Sequence, residues 1–163
     1  MLGPLRGRLP WTWLFLGCVL PDLIDKPLFY GLLWLRGHPD GFISGTRTFG
    51  HTGLFLLGLT LLAALFRSRA LWAVAAGVLT HLLLDSLGEV FITPPDDAHI
   101  LIALLFPLYG VRFPVAHFDS LYEHLRIGAQ SAYNIAGELL GGAILLRAWM
   151  VRRRARRRSA SRS

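Results

Sequence analysis

Two histidines and three aspartates stand inside stretches that are otherwise apolar. Pro21-Asp22-Leu23-Ile24-Asp25-Lys26 carries two carboxylates at i and i+3, on one face if the segment is helical. Gly50-His51-Thr52 opens a second apolar run, and His81-Leu82-Leu83-Leu84-Asp85 sets an imidazole and a carboxylate one helical turn apart. Imidazole nitrogen and carboxylate oxygen are the donors that divalent transition metals such as Zn2+ or Mn2+ accept. An ion so held lowers the pKa of a water molecule and prepares it for hydrolysis. Asp22, Asp25, His51, His81 and Asp85 outnumber the ligands of one four-coordinate zinc. The set therefore predicts either two ions, or one ion with an aspartate left as a base or as the partner of a ligand.

Each element also has a purely structural reading. Asp22 and Asp25 can pair with Lys26 and Arg36 in an ion network, His51 can cap a helix, and His81 with Asp85 can bond two helices together. Gln130, Asn134 and Glu138 recur at i, i+4 and i+8 beside Gly137 and Gly141, which reads as interhelical packing rather than a ligand set. His38, His99, His117 and His124 fall in loops or polar segments and are expected to be ordinary surface or interface residues.

These residues need elements to position them, and the hydropathy pattern supplies membrane spans. A spanning helix takes about 20 predominantly apolar residues. Trp11–Leu35 is long enough, but Pro21, Asp22, Asp25, Lys26 and Pro27 interrupt it, which predicts a broken or kinked helix. Phe49–Phe66, Ala70–Leu87 and Ile127–Met150 read as further spans, with a tight basic turn at Arg67-Ser68-Arg69 and a polar loop over Gly88–Ala98. Ile100–Tyr109 is apolar but short, and reads as re-entrant or interfacial. The expected fold is thus an all-α membrane protein of about four transmembrane helices plus a broken or re-entrant segment. Residues 1–150 would form one membrane domain, with 151–163 a disordered arginine-rich tail. Ionisable side chains inside such spans cost at least about 2.5 kcal/mol for Asp on the insertion scale, so they mark functional positions.

Of the 163 residues, 53% are hydrophobic, and the formal net charge is +7. Arg152, Arg153, Arg154, Arg156, Arg157, Arg158 and Arg162 carry that excess, so the body of the chain is neutral. An arginine cluster after an apolar stretch is a cytoplasmic anchor and attracts anionic lipid head groups. It lacks interleaved aromatics and a folded basic module, so no nucleic-acid partner is expected. One cysteine, Cys18, excludes an internal disulfide framework. Arg6 and Arg8 ahead of Trp11–Leu20 resemble a signal peptide, but Phe15 and Pro21-Asp22 fit a retained membrane segment better. With four crossings, Arg6/Arg8, Arg67/Arg69 and the tail fall on the cytoplasmic side, and the ends bearing His51 and Asp85 face outward together. The expected location is the inner membrane, with the membrane lipids as partners and no oligomeric state indicated.

In their order along the chain, three pieces resemble one family. They are Leu20-Pro21-Asp22-Leu23-Ile24-Asp25-Lys26-Pro27-Leu28, Arg47-Thr48-Phe49-Gly50-His51-Thr52 and Gly77-Val78-Leu79-Thr80-His81-Leu82-Leu83-Leu84-Asp85, with a weaker match at Leu105–Gly110. Together they resemble the YdjM-type, LexA-binding, inner-membrane-associated metal-dependent hydrolases. The resemblance covers roughly residues 15 to 115. It implies a metal site built from Asp22, Asp25, His51, His81 and Asp85. The chain departs from the family pattern: its second aspartate falls one residue later and is followed by Lys26, Thr46 replaces a histidine, and Gly50 replaces a threonine.

The expectation that results is a membrane-embedded hydrolase using Zn2+ or Mn2+, one or two ions, on a lipid or other amphiphilic ester near the outer face. Asp22, His51, His81 and Asp85 would be ligands and Asp25 a ligand or general base. Lys26 and Arg47 would stabilise developing negative charge or hold an anionic group such as phosphate. The alternatives are a metal-ion transporter, whose residues would line a path through the membrane, and a non-catalytic adaptor acting through its arginine tail.

Overall fold

The computed structural model describes residues 10–37, 42–43, 45–92, 100–113 and 120–160. Every helix or strand assigned among them is helical, and the chain divides into two compact units, Met1–Leu121 and Tyr122–Ser163, where the sequence predicts a single domain over 1–150. His38, His99 and His117 lie outside the described residues.

In the first unit, α1 spans Trp11–Arg36 without interruption, although Pro21 and Pro27 lie inside it. The predicted break is absent. A proline removes one N–H and crowds the carbonyl four residues earlier, which costs a helix about 3 kcal/mol. Packing opposes that cost: Gly17, Pro21, Asp25 and Phe29 are its buried residues, spaced by four along one face. A break at Pro21 would take Asp25 and Phe29 out of line with Gly17. Gly37 ends the helix in the left-handed region, at φ 79°, and returns its N–H to Leu33 O.

The expected span from Phe49 begins instead with a 3-10 turn over Phe49–His51, and α2 follows over Gly53–Leu65. Thr52 divides the two. Its hydroxyl donates to Phe49 O at 2.8 Å and accepts from Phe55 N at 3.0 Å, which caps α2. At 13 residues, α2 is about 20 Å long and shorter than a bilayer core. Phe66–Ser68 forms the predicted tight turn, with Arg67 at φ 50° and Ser68 Oγ accepting from Leu71 N. α3 then runs over Arg69–Ile92, five residues beyond the predicted end. Among the described residues it is the one helix long and apolar enough to cross a membrane, over Arg69–Glu89.

The α1–α3 pair is the most extensive in the unit. A Cβ at Gly17 would collide with the Val74 carbonyl, and one at Gly77 with Leu14 O and Cys18 N, so the two backbones touch. Position 17 meets 74 while Cys18 and Asp22 lie beside His81, so α1 and α3 run in the same sense. Val74, Val78 and Leu82 form the apolar core with Leu20, Phe55, Leu56, Leu59 and Leu104. α4 is a single turn over Ile100–Leu104, too short to cross, and it packs on α2, α3 and the 3-10 turn. The Phe106–Pro107 peptide after it is cis.

In the second unit, α5 covers Leu121–Gln130 and α6 covers Ala132–Ala160. The span expected over Ile127–Met150 is therefore interrupted at Ser131, whose Oγ and carbonyl accept from Asn134 N and Ile135 N and start a new helix. That interruption separates Gln130 from Asn134 and Glu138. α6 also continues through the arginine run to Ala160, where the sequence predicts disorder. Arginine is a good helix former, and Arg153 stacks its guanidinium 5.0 Å from the ring of Trp149, one turn earlier.

Candidate metal centre

The site lies where three segments of the first unit meet: the middle of α1, the 3-10 turn before α2, and the second half of α3. The turn is seated by Asp25, which is fully buried. Its Oδ2 accepts from Thr48 N at 2.7 Å and its Oδ1 from Gly50 N at 2.9 Å. A Cβ on Gly50 would sit 2.8 Å from Pro21 O, so the turn presses directly against the α1 backbone. On the turn's other side, Phe49 and Phe42 pack against Phe113, 5.3 and 5.1 Å between ring centres, and Phe106 stacks on Phe113 at 4.7 Å.

The two histidines come together from opposite sides. His51 Nδ1 lies 2.8 Å from Asp25 Oδ2, and His81 Nδ1 lies 2.7 Å from the carbonyl oxygen of Cys18. Both partners are hydrogen-bond acceptors, so both Nδ1 atoms carry the proton and donate it. In the neutral imidazoles the Nε2 atoms then present lone pairs. These two Nε2 atoms face each other at 3.1 Å. A tetrahedral ion with bonds of 2.0–2.1 Å separates two nitrogen ligands by about 3.3 Å, close to the spacing found. Backing of ligand imidazoles by a carboxylate or a backbone carbonyl is the usual arrangement around bound metals.

Asp22 completes a group of three. One ligand atom each from Asp22, His51 and His81 fall within 4.8 Å of one another, a cluster able to hold a metal ion. Asp22 Oδ1 is 3.7 Å from His51 Nε2, while its Oδ2 accepts from Lys26 Nζ at 2.7 Å. Asp85 Oδ2 flanks the pair, 3.6 Å from His51 Nε2 and 4.0 Å from His81 Nε2. It also accepts from Arg47 Nε at 3.2 Å, and Arg47 Nη1 bonds Glu89. Access is one-sided: the side chains of Asp22, Asp85 and Arg47 are about a third exposed, whereas His51 is 1% exposed.

The five expected ligands thus separate by role. Asp22, His51 and His81 converge, and Asp85 stands beside them. Asp25 does not join them: its oxygens bond the turn and His51 Nδ1, so it holds the His51 ring in place from behind. Nor does it join the ion network considered from sequence, since Lys26 pairs with Asp22. Lys26 and Arg47 both reach the site, each through a carboxylate. Glu89 escapes the sequence reading because that reading ends the helix at Leu87. The signal was present in the spacing, since His81, Asp85 and Glu89 recur every four residues and fall on one face of α3. Comparison of the chain with protein-family models, with curated proteins and with solved structures finds no match.

Proposed function

We propose that this protein is a membrane-embedded, metal-dependent hydrolase acting on a lipid or another amphiphilic phosphoester. The observation that carries the reading is the pair of imidazoles whose Nδ1 protons are committed and whose Nε2 atoms face each other at 3.1 Å. His51, His81 and Asp22 would hold the ion, with Asp85 beside them and Asp25, Cys18 O and Lys26 fixing the three ligands from behind. Asp25 and the Cys18 carbonyl hold their imidazoles in the metal-binding tautomer. Lys26 fixes Asp22 through Oδ2 and leaves Oδ1 towards the histidines. A divalent ion supplies Lewis-acid polarisation and a water of lowered pKa. Arg47 offers a guanidinium to the anionic group of a substrate at the partly exposed rim.

A membrane setting is supported by an inverted exposure pattern. Asp25, Thr48, His51 and Glu89 are buried, while Leu54, Leu57, Leu61 and Leu65 of α2 and Leu79, Leu83 and Leu87 of α3 are exposed. In water such a surface is unfavourable at about 25 cal/mol per Å2. α1 has the length of a span, and the charges that interrupt it include Asp22, Asp25 and Lys26, which belong to the site. His81 lies 12 residues into α3, about 18 Å from its start, with Asp85 and Glu89 further along. The polar ladder therefore runs from mid-depth to one end. Towards the other end, α1 and α3 touch backbone to backbone at Gly17 and Gly77, which leaves no path for an ion between them and disfavours a transporter.

The test is elemental analysis of the full chain purified in detergent, wild type beside His81→Ala, with hydrolysis of a panel of lipid phosphoesters measured in parallel. A stoichiometric divalent metal and turnover, both lost in His81→Ala, support the reading. A variant that keeps both overturns it.

A further inference from the structure

Arg47 sits at a position that the metal chemistry does not by itself explain. Its guanidinium is held by two carboxylates of α3, Asp85 and Glu89, one helical turn apart. Glu89 is 5% exposed at its side chain and bonds the guanidinium at Nη1, while Asp85 bonds it at Nε. The carboxylate of Glu89 is held out of water while Arg47 and Asp85 stay about a third exposed, so the desolvation cost falls mainly on Glu89. A structural bond between a loop and a helix needs no such charges, and none so near a reactive centre.

Asp85 gives the arrangement its meaning. The same oxygen, Oδ2, is 3.2 Å from Arg47 Nε and 3.6 Å from His51 Nε2. One carboxylate thus lies between the histidine pair and the guanidinium, as a bridging carboxylate lies between the ions of a two-metal centre. Ions in such centres stand about 3.5–4 Å apart and stabilise opposite ends of a displacement. A guanidinium is permanently charged and presents a planar fork of N–H donors matched to phosphate oxygens, so it can serve as the second positive charge.

We infer that Arg47, fixed by Asp85 and Glu89, takes the place of a second metal ion, so that the centre holds one ion and one guanidinium. This rests on the metal site proposed above and settles its stoichiometry at one. Glu89 acts here as a positioning residue, working through Arg47 rather than on substrate. Because the guanidinium and the ion would lie on either side of Asp85, the group they receive together is a tetrahedral oxyanion, as in a phosphomonoester head group.

The experiment is a Mn2+ titration of the full chain in detergent, read by bound-metal stoichiometry and by the electron paramagnetic resonance signature of coupled manganese pairs. Wild type is expected to bind one ion with no pair signal, and Arg47→Lys, which keeps the charge, to do the same. Arg47→Ala removes the guanidinium from between Asp85 and Glu89, so it is expected to bind a second ion and show the pair signal, and Arg47→Ala combined with Glu89→Gln to lose that second ion and its signal. Two coupled ions in wild type overturn the inference without touching the metal site. So does a folded Arg47→Ala that binds a single ion. No bound ion in wild type overturns the metal site itself and this inference with it. Should Arg47→Ala fail to fold, the wild-type and Arg47→Lys stoichiometries still decide.

Discussion

Asp25 and His51 stand 26 positions apart in sequence and meet at 2.8 Å, with both side chains closed to solvent. The carboxylate accepts from the imidazole and from two backbone N–H groups of the turn that carries it. One residue thus sets both the place and the tautomer of His51. Asp25→Asn puts an amide N–H against groups that are themselves donors, and each buried donor left unpaired costs about 1–3 kcal/mol. Expected in a metal titration is a 10- to 100-fold loss of affinity, the range seen when such backing partners are removed. Unchanged affinity would contradict the role given to Asp25.

Gly50 and Gly58 make a matched pair of tests. A Cβ at Gly50 would sit 2.8 Å from Pro21 O and push the histidine turn off α1, whereas nothing lies within 4 Å of a Cβ at Gly58. Gly50→Ala is expected to destabilise by about 1–3 kcal/mol and to weaken metal binding. Gly58→Ala, inside α2, is expected to leave metal binding unchanged and to stabilise by up to about 1 kcal/mol. Thermal unfolding and metal titration of both variants check the pair, and equal effects would contradict the packing described.

Acid should release the metal. Ligation uses the Nε2 lone pairs of His51 and His81, for which protons compete, so affinity is full at higher pH and falls as pH falls. The stabilisation that metal gives the fold, about 2.7 kcal/mol at a free concentration 100 times the dissociation constant, should shrink in step. The difference in Tm between metal-loaded and chelator-treated protein, followed downward from neutral pH, measures it. A difference that grows on acidification would contradict histidine ligation.

The exposed leucines of α2 and α3 predict that the protein stays with the membrane fraction through alkaline carbonate extraction and requires detergent for purification. Release by carbonate would contradict the membrane reading while leaving the metal site open to its own test.

The helical class was legible because the apolar runs are long and broken by turn residues, and Arg67-Ser68-Arg69 marked its turn correctly. The cluster of Asp22, His51 and His81 was legible because charged and imidazole side chains are rare inside such runs. Less could be read where tertiary packing outweighs local preference. Pro21 and Pro27 interrupt helices locally, but the face Gly17–Pro21–Asp25–Phe29 packs as one. Ser131 looks innocuous inside an apolar stretch, yet its hydroxyl and carbonyl start a helix there. Asp25 could not be told from Asp22 by residue type. Only the placement of Thr48 and Gly50 shows that one carboxylate serves the backbone and the other faces the histidines. Glu89 was hidden by a helix end placed too early.

The central claim is that one ion lies between the Nε2 atoms of His51 and His81. X-ray absorption at the zinc edge of the zinc-loaded full chain tests it most directly. The account predicts four light-atom ligands at about 2.0–2.1 Å with the outer-shell scattering of two imidazoles, and loss of that zinc signal in His81→Ala. Zinc bound without imidazole scattering, or an identical spectrum in the variant, would contradict it.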